Sequence, residues 1–567
     1  MRDTPQLPAK RNEIMKRTKT DKRPLRRWML IGSLVLGAAL LSAFRLDYFE
    51  INKQLDIFAN LYREVNLYYV DETQPGEMMD RAIDKMLDGL DPYTVYIPES
   101  RVEDFRVQTT GQYGGVGSTI RTIDDHVIII GPYKDSPADK AGLKPGDRII
   151  SIDGENMVGK NSEDVSRLLK GAPGTKVSLT IERDGVKIQK ELKRERIELK
   201  SVPYFGMMNE DVGYIVLNSF TAKASSEVTE AFKQLKKDHE LKGVILDLRG
   251  NPGGLLSEAV NVCNIFIPKG QEVVSTRGRM KEMDQTYKTQ KDPVDTEIPL
   301  TILINSGSAS ASEIVAGTIQ DLDRGVIVGQ RSYGKGLVQQ SRQLSYGAQV
   351  KITIAKYYTP SGRCIQAINY AERNEDGSVS KVPDSLRTAF ATANGRKVYD
   401  GGGIDPDVKL KQERFSNVLF SLVQKNLIFD FATQYVKAHP EIPAPGEFAL
   451  TEQEYKDFLQ FLEGKEYHYS TETEKVLEEL AEVAEDEKYG SLVTEIEKLK
   501  ESYNTIKKDD LVTFRDQISR FIEDEIVGQY YYQEGRIRQG LKDDPVLEEA
   551  IQILQNGTRY NEILDPA

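Results

Sequence analysis

A segment of closely spaced serines is the strongest candidate for chemistry in this sequence. It reads NSGSASASEIVAG at positions 305–317 and follows the strand-like run LTILIN. A strand–turn–helix junction places one side chain at the start of a helix, beside N–H groups that are free to receive an oxyanion. The segment therefore predicts a serine nucleophile, but the residues alone do not distinguish Ser308, Ser310 and Ser312.

The base that such a serine needs is not an obvious histidine. The chain has four histidines outside any catalytic motif, and we expect surface or structural roles for His126, His239, His439 and His468. An exposed lysine has a pKa of about 10.4 and is a poor base at neutral pH, but burial lowers that value by several units. The run RSYGKGLVQQ supplies a candidate, Lys335, between two glycines and directly after a strand-like stretch.

The composition is that of ordinary globular material. The chain has 567 residues, of which 39% are hydrophobic and 29% charged, and three or four domains are expected. A formal net charge of −12 argues against nucleic-acid binding, because no basic excess is available to neutralise phosphates. Two cysteines, Cys263 and Cys364, allow at most a single disulfide and exclude a cysteine metal cluster. We expect neither a cofactor nor a metal.

The amino terminus predicts a membrane anchor. Residues 28–44 carry no charge and follow a strongly basic stretch, and their length is near the lower limit of roughly 17 residues for a transmembrane helix. The basic flank predicts that residues 1–27 stay in the cytoplasm and that the chain after Arg45 is exported. A cleaved signal peptide is the alternative, although LSA matches the cleavage pattern poorly. We expect an inner-membrane anchor in the cell envelope, with the working part in the periplasm or on the exported side.

Residues 108–197 have the pattern of a small β-rich domain. Strand-like runs such as HVIII, RIISI and VSLTIER are separated by glycine-bearing turns, and SEDVSRLLKG predicts a helix. The run SPADKAGLKPGDRIISIDGENM, with the loop YGGVG before it, resembles a PDZ domain. The resemblance implies a carboxylate-binding loop of Gly115, Val116, Gly117 and Ser118, and a peptide that adds as a strand between residues 118–123 and the helix at 162–170.

The rest of the chain divides into one α/β region and two helical ones. Residues 198–410 alternate strands with helices, which predicts an α/β core with a largely parallel sheet, and residues 369–400 read as an inserted loop. Residues 45–107 and 411–567 have helical periodicity. The amphipathic faces of the C-terminal helices predict packing against the body of the protein, another copy or an adaptor.

Together these motifs carry a family resemblance. Residues 213–339, with the PDZ-like segment before them, resemble the carboxy-terminal processing peptidases, or tail-specific proteases, whose signature is SASASE followed by GKG.VQ. The resemblance implies an α/β protease core of the crotonase-like ββα type with an inserted PDZ domain. It also implies a Ser–Lys dyad assisted by a glutamine, with Ser310 as nucleophile, Lys335 as base and Gln339 orienting the amine.

Two N–H groups are expected to hold the tetrahedral oxyanion. One belongs to Ala311, next to the nucleophile, and the loop DLRGNPGG offers the other, for which the resemblance points to Gly254. We assign the nearby carboxylates, those of Asp247, Glu313 and Asp321, to structural roles.

The sequence thus predicts an exported, membrane-anchored serine endopeptidase that recognises the free C-terminal tails of proteins or peptides through a PDZ domain. The main alternative is a non-catalytic, membrane-anchored PDZ scaffold with a decayed protease fold. Enoyl-CoA hydratases have a similar α/β fold, but they lack the PDZ insertion and the anchor.

Overall fold

The computed structural model of the protein describes residues 48–374 and 378–565. The chain divides into two compact units, one ending at Met86 and the other beginning at Leu87. The expected membrane span at 28–44 and the basic tail before it lie outside the described residues. Within the described ranges, no helix is both long enough and apolar enough to span a bilayer.

The first unit contains the first two described helices of the helical region expected after residue 45, apart from the last two residues of the second one. Helix α1 covers residues 48–68, and α2 (Pro75–Asp88) starts at a proline, which suits the first turn of a helix. The Tyr62 hydroxyl of α1 donates to the carbonyl of Pro75 at 2.8 Å. Apolar side chains of α1 such as Leu55 and Leu67 are exposed.

A short segment then leads into the β-rich domain. It comprises β1 (Val95–Ile97) and α3 (Val102–Thr110). The elements of the β-rich domain are β2 (Gln112–Gly115), β3 (Ser118–Ile123), β4 (His126–Pro132), α4 (Pro137–Lys140), β5 (Arg148–Ile152), β6 (Glu155–Asn156), α5 (Ser162–Leu169), β7 (Lys176–Arg183), β8 (Val186–Lys193) and β9 (Glu195–Glu198). The main sheet has the order β3-β4-β5-β7-β8, so β3 is an edge strand.

The α/β core follows. Its elements are β10 (Tyr204–Met207), β11 (Val212–Val216), α6 (Ala224–Asp238), β12 (Gly243–Asp247), α7 (Leu256–Phe266), β13 (Glu272–Gly278), β14 (Gln285–Lys288), β15 (Leu300–Ile304), α8 (Ala311–Asp321), β16 (Val326–Gly329), β17 (Leu337–Gln343), β18 (Gln349–Tyr358), β19 (Ile368–Arg373), β20 (Val379–Lys381), β21 (Ala389–Ala391), β22 (Lys397–Tyr399) and β23 (Val408–Lys409).

The central sheet is largely parallel, as predicted. Its order is β10-β11-β12-β15-β16-β23, and all neighbours from β11 onward pair in parallel. Strands such as GVILD and LTILI are buried along their whole length, which is the pattern of a parallel sheet covered on both faces. A second sheet, ordered β1-β18-β13-β14 with β17 paired to β18, carries the segment after Lys335. In the described part of residues 369–400, the expected inserted loop forms the strand pairs β19–β20 and β21–β22.

The chain ends in a helical region. Its helices are α9 (Asn417–Gln424), α10 (Leu427–Ala438), α11 (Glu452–Phe461), α12 (Glu472–Asp486), α13 (Gly490–Lys507), α14 (Asp510–Thr513), α15 (Arg515–Gly540), α16 (Pro545–Gln555) and α17 (Gly557–Leu564). Helices α9, α10, α11 and α15 form a hydrophobic core of their own. Helices α16 and α17 instead pack against one face of the central sheet, and the cluster includes Tyr214, Ile245, Leu303, Val328, Val546, Leu547, Ala550, Ile553 and Tyr560.

Candidate active site

The structure distinguishes the closely spaced serines. Ser308 and Ser312 are fully buried, and each hydroxyl donates to a main-chain carbonyl, Ser308 Oγ to Leu248 O at 2.8 Å and Ser312 Oγ to Asn251 O at 2.9 Å. Ser310 is only partly buried and immediately precedes α8. Its position at a helix N-terminus is the one that the family resemblance implies for the nucleophile.

The backbone of Ser310 is held in an unusual conformation. Its φ of 56° and ψ of −111° lie in a region that non-glycine residues rarely adopt, and such strain persists only where the surroundings fix it. The N–H of Ser310 donates to Glu313 Oε2 at 2.8 Å, and its carbonyl accepts from the Tyr357 hydroxyl at 3.1 Å. The same hydroxyl lies 2.6 Å from the Lys335 carbonyl oxygen.

The Glu313 carboxylate connects the serine segment to the lysine loop. It is fully buried; Oε2 accepts from the N–H groups of Ser310 and Lys335 at 2.8 Å each, and Oε1 accepts from Ser332 Oγ at 2.6 Å and from the N–H of Gly334 at 2.7 Å. Burial raises the pKa of the Glu313 carboxyl, and these hydrogen bonds oppose the rise. From the sequence, we expected only a structural role for Glu313. The spacing S-x-x-E, which is typical of a capping box, was the signal for its contact with Ser310.

The lysine expected to act as base is fixed at its backbone and partly buried at its amine. Burial, and after it the positive charge of Lys351, lower the pKa of Lys335 to about 8 despite the opposing effects of Glu313 and Asp91. Within the described residues, no hydrogen bond or ion pair reaches Lys335 Nζ, which lies 4.1 Å from the centre of the Tyr93 ring. The amine thus gives up its proton far more readily than an exposed lysine does, but it is not hydrogen-bonded to Ser310 in this arrangement.

Gln339 lies on β17, where the pairing register with β18 shifts between Val338 and Gln339. Such an irregularity changes the direction in which a side chain points. Its Nε2 donates to Thr353 Oγ1 at 3.2 Å, and Thr353 Oγ1 donates to Asp91 Oδ1 at 3.1 Å. Asp91 also accepts from the N–H of Tyr93 at 2.8 Å. Gln339 is therefore bonded to this polar chain and not to Lys335. The Asp-Pro pair at residues 91 and 92 is typical of a turn, and local sequence does not indicate its contact with Gln339.

The loop after β12 lies against the nucleophile. The N–H of Ala309 donates to Asn251 O at 3.0 Å. A Cβ added to Gly253, whose φ is 100°, would lie 2.8 Å from Ser310 Cβ and 2.9 Å from Ala311 N. No larger residue fits this contact without displacement, so the glycine permits the close approach of the two segments.

Of the two expected oxyanion donors, Ala311 is at this contact and Gly254 directly follows Gly253. Gly254 forms a bridge with Phe220, and its φ of 147° is accessible to glycine. In the described part of the chain, neither the N–H of Gly254 nor that of Ala311 has an acceptor. Free N–H groups next to a candidate nucleophile are what an oxyanion requires.

The carboxylate-binding loop expected in the β-rich domain connects β2 to β3. Gly115 pairs with β9, and the next two carbonyls are hydrogen-bonded within the domain, Val116 O to Ala138 N at 2.8 Å and Gly117 O to Tyr133 N at 2.9 Å. The N–H groups of Val116 and Gly117 have no acceptor among the described residues. The loop is thus able to donate to a ligand.

The neighbouring elements complete a groove. Ser118 opens the edge strand β3, and its hydroxyl is buried without a partner in the described ranges. Helix α5 lies beside β3, and the N–H of Ser162 donates to Thr122 Oγ1 at 2.8 Å. An edge strand with a helix alongside can accept an added peptide strand.

The structure therefore brings Ser310 and Ala311 against Gly253, the residue before Gly254, and joins Ser310 to Lys335 through Glu313. It places Gln339 on a separate hydrogen-bonded chain. The described residues contain no cluster of three or more His, Cys, Asp or Glu side chains that could hold a metal ion.

Comparisons with known proteins match three parts of the chain to family models. Residues 211–372 match peptidase family S41, residues 128–183 match a PDZ domain, and residues 418–554 match the C-terminal helical domain of probable PDZ-proteases. These matches lie in the α/β core, the β-rich domain and the helical region respectively.

Named relatives agree with these matches. The carboxy-terminal-processing protease of Bartonella bacilliformis is 39% identical over 321 residues, which cover 56% of this chain and 73% of the relative. The carboxy-terminal processing protease CtpA of Bacillus subtilis is 31% identical over 401 residues, 70% of this chain and 82% of the relative. The solved structure of the photosystem II D1 C-terminal processing protease is similar at 28% identity and a TM-score of 0.34, over 62% of this chain and 92% of that one. This chain belongs to peptidase family S41 and is a serine peptidase of the carboxy-terminal processing type with a PDZ domain.

Proposed function

We propose that this protein is an exported, membrane-anchored endopeptidase that binds the free C-terminal tails of proteins through its PDZ domain and cleaves them with Ser310 and Lys335. The observation that carries the dyad is the shared acceptor Glu313 Oε2, which receives the N–H groups of both residues at 2.8 Å. One buried oxygen atom thereby fixes the distance between the backbone of Ser310 and the backbone of Lys335. Such fixed relative placement of a nucleophile and its base is what covalent catalysis requires.

The chemistry proceeds in two steps. Ser310 Oγ attacks the carbonyl carbon of the scissile bond while the neutral amine of Lys335 takes the hydroxyl proton, and the N–H groups of Ala311 and Gly254 stabilise the oxyanion. Lys335 then returns the proton to the leaving amine, and water hydrolyses the acyl-enzyme. Before the attack, Lys335 Nζ leaves the Tyr93 ring for the serine, and the Gln339 amide leaves Thr353 to orient the amine.

The dyad is tested with the full chain in detergent and an unfolded protein that ends in an apolar free tail. Ser310→Ala and Lys335→Ala are expected to lose cleavage by about three orders of magnitude or more, as is usual for residues that act as a unit. Ser306→Ala is the matched control, because Ser306 is exposed in the same segment. If the two variants cleave as fast as the wild type, the Ser310–Lys335 dyad is wrong. If the wild type itself cleaves nothing, the protein is better described as a non-catalytic PDZ scaffold.

Tail recognition is supported by the free N–H groups of Val116 and Gly117 and by the open edge of β3. A labelled tail peptide should bind the Ser310→Ala variant at least about tenfold more tightly as the free acid than as the C-terminal amide, since amidation removes the charge that these N–H groups receive. Fluorescence anisotropy gives both dissociation constants. Equal affinities would show that the carboxylate is not recognised.

Anchoring and export are supported by the uncharged stretch at 28–44 and its basic flank. We propose that the catalytic part faces the periplasm or the exported side of the cell envelope. The protein should then stay in the membrane fraction during alkaline extraction and be degraded by a protease added to spheroplasts. Release by alkali, or protection from the added protease, would contradict the anchor or the orientation respectively.

The finer fold description and the contacts of the helical tail also belong to this proposal. A crotonase-like ββα arrangement of the core is consistent with strands and helices that alternate along residues 204–329. An oligomer or adaptor contact through the C-terminal helices is supported by exposed apolar residues on α12 and α13, namely Val476, Leu480, Val483, Leu492 and Leu499. Light scattering on the full chain, with and without Val476→Glu and Leu480→Glu, measures whether a self-association depends on them.

A further inference from the structure

The penultimate helix of the chain begins with a carboxylate that has two separate tasks. Asp544 precedes α16, and its Oδ1 accepts from the N–H groups of Val546 at 2.9 Å and Leu547 at 3.2 Å. Its other oxygen, Oδ2, lies 2.7 Å from Nη1 of Arg249. One side chain thus caps a C-terminal helix and forms an ion pair with the loop that follows β12.

Arg249 is held on its other side by Asp247. Arg249 Nε donates to Asp247 Oδ1 at 3.0 Å and Nη2 to Oδ2 at 2.6 Å, and the Arg249 N–H donates to Oδ1 at 2.9 Å. Asp247 also accepts from the Tyr214 hydroxyl at 2.7 Å. Burial alone would lower the pKa of Arg249, but Asp247 and Asp544 hold it above its ordinary value. The guanidinium is therefore a fixed charge between two carboxylates.

The support behind Asp544 is rigid. Helix α16 packs against the central sheet through buried residues that include Leu547 and Ala550. Tyr560 of α17 adds a polar contact, because its hydroxyl accepts from the Leu300 N–H at 3.0 Å. Asp544 therefore occupies a position that is defined by the sheet and not by a loose tail.

The loop beyond Arg249 leads directly to the reacting groups. It carries Gly253, which contacts Ser310 and Ala311, and then Gly254, the expected second oxyanion donor. An arginine locked at the start of this short loop limits where the N–H of Gly254 can lie. Preorganised donors give the largest electrostatic contribution to acyl transfer, so a small displacement is costly.

We propose that Asp544 is a positioning residue for peptide cleavage: through Arg249 it fixes the loop that carries Gly254, so that the helices at the end of the chain complete the active site. The proposal rests on the proposed function, since it assigns Asp544 to the same catalytic centre. It also assigns α16 and α17 to the catalytic part of the molecule.

The variant that tests this is Asp544→Asn in the full chain. Asparagine keeps an oxygen for the helix cap but removes the charge that pairs with Arg249, and it is a good N-cap residue, so folding is retained. Asp543→Asn is the matched control, because it removes the same charge from the exposed neighbouring position. Two readouts are measured: kcat and KM for a tail peptide, and amide hydrogen exchange of residues 249–255.

We expect Asp544→Asn to lower kcat about 10- to 100-fold with KM unchanged within about twofold, which is less than the loss of an entire oxyanion donor. Exchange in 249–255 should be about tenfold faster, while the melting temperature and exchange in the PDZ domain stay at the wild-type values and Asp543→Asn changes nothing. Unchanged kcat, or a fall in kcat without faster exchange, overturns the proposal. If the wild type cleaves nothing, the proposed function fails, and exchange in 249–255 alone decides whether Asp544 holds the loop.

Discussion

The Nζ atom of Lys335 lies 4.1 Å from the centre of the Tyr93 ring. The face of an aromatic ring attracts a cation and so favours the protonated amine, whereas burial disfavours it. Burial is the largest of the effects that lower the pKa of Lys335 to about 8. At neutral pH the amine is therefore mostly protonated and lies over the ring, with a minor neutral fraction that can act as a base.

The first prediction concerns the pH dependence of cleavage. Only the neutral amine accepts a proton, so kcat/KM should rise with pH and level off above an apparent pKa of about 8. At pH 7 about one tenth of the enzyme carries the neutral form. Steady-state rates between pH 6 and 9.5 measure the curve. A flat profile, or one that falls as pH rises through 8, would remove Lys335 from the role of base, and Lys335→Arg should be inactive throughout because its guanidinium stays protonated.

The second prediction removes the ring over the amine. Tyr93→Leu keeps an apolar side chain but loses the cation–π attraction, which is worth about 0.5–2 kcal/mol. The rising limb of the pH profile should move about 0.4–1.5 pH units lower, since 1.36 kcal/mol corresponds to one unit. Activity at pH 6.5 should therefore increase. Tyr93→Phe keeps the ring and serves as control; a limb that moves to higher pH in Tyr93→Leu would mean that the ring acts mainly by excluding water.

Local sequence signals were sufficient to predict some of the strands and helices that position the site. The run LTILIN followed by small residues and an apolar stretch predicts a buried strand, a turn and a helix, and the structure has β15, the turn and α8 in that order. The alternation of strands with helices predicted a largely parallel sheet for the same reason. In each case the residues that determine the element, the periodic apolar ones and the turn residues beside them, are close together in the sequence.

Long-range pairings could not be predicted in this way. Periodicity indicates that a residue such as Glu313 is buried but not which N–H groups its carboxylate meets, and its partners at Ser332 and Gly334 lie about twenty positions away. Asp544 is an ordinary helix cap by sequence, and its ion pair with Arg249 depends on how α16 lies on the sheet. The amphipathic pattern of α16 is equally compatible with a separate helical domain.

The third prediction concerns Glu313. In Glu313→Gln, the amide NH₂ must face two of the donors that the carboxylate now accepts, so the serine segment and the lysine loop separate. We expect kcat to fall about 100-fold, as is common for a displacement of about 1 Å. The free energy of unfolding should decrease by about 1–3 kcal/mol, because buried donors lose their acceptor.

The matched control for that variant is Glu258→Gln. Glu258 is also buried and accepts from Ser225 N at 2.8 Å and Asn261 Nδ2 at 2.9 Å, but it contacts neither the serine segment nor the lysine loop. A comparable loss of stability is expected with kcat retained. If Glu313→Gln retains kcat as well as Glu258→Gln does, Glu313 contributes to folding only.

The last prediction uses two glycines of one loop. A Cβ at Gly253 would lie 2.7 Å from Ala309 O and 2.8 Å from Ser310 Cβ, so Gly253→Ala must displace the nucleophile or the loop that carries Gly254. Gly250 also has a positive φ, 69°, but a Cβ there meets nothing within 4 Å. Both variants carry the conformational cost of alanine at positive φ, about 1–2 kcal/mol, and only Gly253→Ala adds the steric conflict. We expect Gly253→Ala to lower kcat about 100-fold or more and Gly250→Ala to leave kcat within a few-fold, with the larger decrease in the free energy of unfolding in Gly253→Ala. A Gly253→Ala enzyme that keeps its kcat would mean that the contact between this loop and Ser310 is dispensable for cleavage, and the oxyanion donor would then have to be sought elsewhere.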